Sequence, residues 1–125
     1  MERYPDIELY LARTPAGVLD AWLSETLEAA PLMPAGKGQW RTTGTCHGQP
    51  VPVLLVENAS DGFSSLWFDS DQTPWPTDQD AARHAAAALG VKVRCSLGGW
   101  SPGDDPDRFW QVLPNGEEGP IHWPG

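Results

Sequence analysis

The sequence predicts an α+β domain: a mixed, largely antiparallel sheet of six to seven strands with two helices on one face, built from two βαββ-like halves. Three observations carry this. Apolar residues alternate with polar ones near the start of the chain and again past its middle, the period of a half-buried strand. Each alternating or apolar run that ends in Thr14-Pro15 or Thr77-Asp78 is followed by a helical pattern. Between these segments, proline and glycine punctuate the chain at hairpin spacing.

Taken in order, Ile7, Leu9 and Leu11 alternate with Glu8, Tyr10 and Ala12 as a first strand. Thr14 then supplies an N-cap and Pro15 a first helical position, and Val18, Leu19, Trp22, Leu23 and Leu27 form the apolar face of a helix that should stop near Ala30, before Pro31. "PLMPAGKG" reads as a loop. Trp40 to Cys46 and Val51 to Val56 pair as a hairpin around His47-Gly48-Gln49, and Pro50 and Pro52, which lack N–H donors, put the start of the second strand at an edge or bulge. After "NASDG", Ser64 to Phe68 is a further strand. Thr77 caps a second helix with Asp78 and Asp80 in its first turn, and Ala81, Ala85, Ala88 and Leu89 make its packing face. Gly90 ends it. Val91, Val93, Cys95 and Leu97 then alternate with polar residues as the clearest strand, followed by the loop "GGWSPGDDPD", a strand from Phe109 to Leu113, a Pro114-Asn115-Gly116 turn and a short strand around Ile121-His122-Trp123.

With 125 residues the chain is expected to form one domain, large enough to bury roughly two-thirds of its unfolded surface. The net charge of −9 repels phosphate backbones and anionic headgroups, so neither nucleic acid nor a membrane surface is an expected partner. Charges at Glu2, Arg3, Asp6, Glu8 and Arg13 leave no apolar leader, and Cys46 and Cys95 suit a reducing compartment as free thiols, so a cytoplasmic location is expected.

The stretch "SLWFDSDQTPW" places Asp69-x-Asp71-x-Thr73 after an apolar run and resembles the first motif of the haloacid dehalogenase-like hydrolases. That resemblance implies Mg²⁺-dependent phosphoryl transfer with Asp69 and Asp71 as nucleophile and acid. The repeated βα units that such a domain uses are not visible, which makes this the third-ranked reading. The same segment overlays a calcium loop, but Pro74 stands where the turn requires glycine. The histidines and cysteines show no zinc spacing, so neither metal nor cofactor is expected and no catalytic residue is assigned.

Seven tryptophans are the remaining compositional anomaly. Trp22 and Trp67 are expected in the core. Trp40, Trp75 and Trp100 fall in loops or at element ends, and an aromatic held on a stiff or glycine-flanked loop costs little entropy to dock. The leading expectation is therefore non-catalytic binding of a protein or small molecule, a basic protein being favoured by charge, through Trp75, Trp100, Trp40, Asp104 and Asp105. The second expectation is a small-molecule pocket between the free face of the sheet and the loops carrying Trp40, Trp75 and Trp100.

Overall fold

The computed structural model describes residues 3–97 and 105–124. Within them, two helices and eight strands form one sheet in the order β2-β3-β4-β5-β1-β6-β7-β8. The strands are β1 (Ile7–Ala12), β2 (Met33–Gly36), β3 (Gln39–Cys46), β4 (Gln49–Ser60), β5 (Phe63–Phe68), β6 (Val93–Cys95), β7 (Arg108–Val112) and β8 (Glu118–His122). The helices are α1 (Ala16–Leu27) and α2 (Asp78–Leu89). Every neighbouring pair is antiparallel, so the sheet is not mixed, and it has one strand more than expected. The addition is β2, inside the presumed loop "PLMPAGKG"; it pairs with β3 alone, and at an edge Pro34 removes no needed ladder donor.

The two expected halves are not equivalent in space. His47-Gly48 and Asp61-Gly62 both have positive φ, the geometry of two-residue hairpin turns, so β3, β4 and β5 run as a meander. β5 is thereby tied to β4, while β6, arriving from α2, pairs with β1. The segment "NASDG" is mostly strand: β4 continues through it with a register shift between Val56 and Ser60 and a positive φ at Asn58. Pro50 and Pro52 lie in a strand that is interior overall, but paired only with β3 at that end. Pro52 accepts from Asp69 N at 2.9 Å, so the missing proline donors face the side where β5 has run out.

Register assigns the two faces. Ile7, Leu9 and Leu11 share a face with Phe68, Leu66, Val53, Leu55 and Val93, all buried, and both helices pack there. α1 lays Leu19, Trp22, Leu23 and Leu27 on this face, while Val18 is 48% exposed because it lies to one side of the stripe. α2 buries Ala81, Ala82, Ala85 and Ala86; Ala88, expected in the face, is exposed because the buried stripe is centred between Ala82 and Ala85. The close approach of α1 is visible at Gly44, where a Cβ would lie 2.6 Å from Leu27 Cβ and 2.9 Å from its carbonyl oxygen.

Helix ends show how local signals and tertiary contacts divide the work. Thr77 accepts from Asp80 N, Thr77 Oγ1 donates to the Asp80 carboxylate, and Gly90 closes α2 with φ 68°, as the sequence indicates. At α1 the expected cap fails: Pro15 is the N-cap, Thr14 Oγ1 donates to Ala12 O, and Ala16 N is satisfied instead by Glu57 Oε2 from β4 at 3.0 Å. The helix also ends three residues early, at Leu27. Glu28 takes φ 53°, and Glu28 N and Ala29 N bond back to Ser24 O and Leu23 O. The strand read as clearest, from Val91 to Leu97, shortens to Val93–Cys95, the residues that find ladder partners on β1 and β7.

Candidate functional site

The residues singled out as a binding surface are not brought together. Trp75 is 6% exposed, stacked on Trp22 at 5.3 Å and beside Phe68 and His84 between the helices. Its loop is indeed stiff, but stiffness points the ring inward: Thr73 Oγ1 donates to Trp75 O at 2.8 Å, and Arg3 donates to the carbonyls of Asp71 and Thr73. Trp40 is half-buried on the helix side, its indole donating to Glu57 Oε1 at 3.0 Å. Asp105 is exposed and lies by β7, with β4, β5, β1 and β6 between it and Trp40 on β3. Trp100 and Asp104 lie outside the described residues. Asp69 and Asp71 are exposed, and among the described residues no three His, Cys, Asp or Glu side chains converge as a metal site would require.

Five of the six described tryptophans share a tether. Among the described residues, Trp40 donates to Glu57, Trp67 to Asp6 (2.8 Å), Trp110 to Glu118 (3.2 Å) and Trp123 to Asp61 (2.8 Å), while Trp22 donates to His84 Nδ1 (3.1 Å). A half-buried indole N–H needs an acceptor, and a carboxylate is a strong one. Part of the chain's acidity is therefore structural, holding aromatic rings at the periphery of the sheet.

The surface that stands out instead is the sheet face opposite the helices; Trp40 and Trp75, expected to border it, pack on the helix side. Glu8 and Trp67 are direct cross-strand partners there, Tyr10 is flanked by Ser65 and Arg94, and Leu54 lies across from Trp67. Trp67, expected in the core, was legible as an outward residue from phase alone: Leu66 and Phe68 belong to the buried set, so Trp67 between them points away.

This face is filled at one end and open at the other. Trp123, immediately after β8, packs against Tyr10 of β1 (5.2 Å), Phe63 of β5 (5.0 Å) and Phe109 of β7 (5.2 Å). In a flat sheet β1 would be ~14 Å and β5 ~19 Å from β8, so the sheet curls toward this side. The Arg94 guanidinium lies 4.4 Å from the Phe63 ring centroid and 4.7 Å from that of Trp123, with Nε donating to Gln111. At the other end Leu54, Val56 and Trp67 remain half-exposed, and half-exposed Tyr10 stands between the two ends.

Electrostatics mark the open end. Partial desolvation raises the Glu8 carboxyl, a hydrogen bond from Tyr10 (3.4 Å) lowers it, and repulsion from Asp6 raises it again. Tyr10 is raised by burial and then by Glu8. Among the described residues no cation lies within ion-pair distance of Glu8 or Asp6. Behind this strand, on the helix side, Asp78 is 6% exposed and accepts from Glu8 N (3.2 Å) and Ser96 Oγ (2.9 Å). Burial pushes its carboxyl up to about 6, against the lowering effect of those two bonds. Burial also pushes the Cys95 thiol up to about 12, and both cysteines are free.

No helix among the described residues is long and apolar enough to cross a membrane. Comparison with protein families, with curated proteins and with solved structures found no match to this chain.

Proposed function

We propose that this protein is a non-catalytic binding domain that docks a basic partner protein on the sheet face opposite its helices. Trp67 and Tyr10 act as aromatic seats, and Glu8 and Asp6 as the acidic flank. The observation that carries the reading is the Glu8–Trp67 pair: a carboxylate raised by desolvation and by Asp6, with no cation at hand, beside a half-exposed indole whose N–H is already held by Asp6. A lysine or arginine set over that ring gains a cation–π contact and relieves the repulsion between the two acids. The net charge of −9 steers such a partner during approach. Phe63 and Trp123 fill the other end of the face, leaving a surface more than an enclosed pocket, which favours a macromolecule over a small ligand.

The test is a titration of isotope-labelled protein with an arginine-rich oligopeptide, followed by NMR at low and high salt. Shifts should centre on the Trp67 indole and the Glu8 and Tyr10 amides, and weaken with salt and in Glu8→Gln. Shifts spread evenly over the acidic surface, or unchanged by Glu8→Gln, would show that the peptide reads only net charge.

A further inference from the structure

A second cluster of chemistry-bearing groups lies on the other face, where the β7–β8 hairpin reaches the edge of the sheet. Arg108 and His122 are direct cross-strand partners, and register puts both on the side of Trp110 and Val112, facing away from the surface that carries Trp67. Beside them is an open depression of about 250 Å³ lined by Asp105, Arg108, Pro120, Ile121 and His122.

The charged groups in this depression are arranged, not scattered. Asp105 Oδ1 accepts from Asp107 N at 2.9 Å, which fixes the carboxylate, and its Oδ2 lies 3.2 Å from His122 Nδ1. The aspartate thus occupies one ring nitrogen and leaves Nε2 as the free one. The Asp107 amide, then His122, and then the charge of Arg108 help hold the Asp105 carboxyl below its usual range. Arg108 is held at its backbone, N to Asp105 O at 3.2 Å, while among the described residues its guanidinium has neither a hydrogen bond nor an ion pair. A free planar fork of donors next to an oriented imidazole fits a two-oxygen anion. Pro120, the cross-strand partner of Trp110 on the same face, supplies an apolar wall beside it.

We infer that this depression is a binding site for a small organic carboxylate: the carboxylate on the Arg108 fork beside the His122 ring, and a short apolar body against Pro120. Charge selects the class. The single charge of the Arg108 guanidinium is matched by a single carboxylate. A phosphate dianion would leave excess negative charge on a molecule already at −9. The volume admits a compact acid and is below that of drug-sized pockets.

The experiment is NMR titration of the labelled full chain with sodium benzoate and, separately, inorganic phosphate, at constant ionic strength. Benzoate should give saturable shifts at the Arg108, Ile121 and His122 amides and at the His122 ring, leaving the Trp67 indole in place. Arg108→Gln, a change at an exposed side chain, should weaken binding about tenfold or more. The inference is overturned by the absence of saturable shifts up to about 50 mM, by equal binding in Arg108→Gln, or by phosphate saturating the same residues at lower concentration than benzoate. None of these outcomes bears on the Trp67 face, whose titration stands by itself.

Discussion

Replacing Asp78 with asparagine should stabilise the protein at neutral pH, although it removes a charge from the first turn of a helix. In the folded chain this carboxyl is pushed up to about 6 from its ordinary 3.8, chiefly by burial. The ionised form is therefore disfavoured on folding: stability is highest below pH 3.8, falls as pH rises toward 6, and carries the full penalty above that. The difference corresponds to about 3 kcal/mol, from which the positive end of α2 returns about 0.3–1. Asparagine keeps both contacts, since its Oδ1 can accept from Glu8 N and its Nδ2 can donate to Ser96 Oγ. The expected gain is about 1–2 kcal/mol at pH 8, shrinking to near zero by pH 4. Urea unfolding of both proteins across that range measures it, with Asp78→Ala as the control that loses both bonds and falls by about 1–3 kcal/mol at pH 4. If Asp78→Asn is destabilised at pH 8 by an amount that does not change with pH, the buried carboxyl is not ionised against a penalty and the reasoning fails.

Three further outcomes follow from the packing. Gly44→Ala sets a methyl 2.6 Å from Leu27 Cβ and 2.9 Å from a backbone oxygen, so α1 must lift from β3; a loss of about 1–3 kcal/mol in thermal or urea unfolding is expected. Glu28→Gly acts in the opposite sense, because glycine holds the φ of 53° at the end of α1 without a Cβ penalty, and should raise stability by about 0.5–1 kcal/mol. In native protein at pH 8 a thiol reagent should modify partly exposed Cys46 and leave Cys95 unreacted until unfolding, since Cys95 is fully buried and its thiol is raised to about 12; equal rates at the two sites would show that the β6 region opens readily.

The sequence by itself determined the elements whose signals are local. The alternation through Ile7, Leu9 and Leu11 specified β1 and its buried face, because a period of two leaves only one set of side chains for the core. Thr77, Asp80 and Gly90 set the ends of α2, because each bonds or bends within a turn of its own position. The α+β class and the two helices followed from those signals.

Tertiary structure decided whatever depends on a partner far along the chain. The N-terminus of α1 is capped by Glu57, 41 residues from Ala16, so Thr14 next door was a plausible but idle cap. β2 is a strand because β3 offers it an edge, not because its own residues favour one. Trp75 looked like a docking residue since its loop is stiff, yet stiffness does not specify direction, and Trp22 and His84, 53 and 9 residues away, turned it inward. Likewise Trp123 reaches Tyr10 and Phe63 only because the sheet curls, which no stretch of sequence encodes alone. Both candidate surfaces arise in this way: Glu8 meets Trp67, and Arg108 meets His122, through cross-strand register, a property of pairs of strands that a single run of residues does not carry.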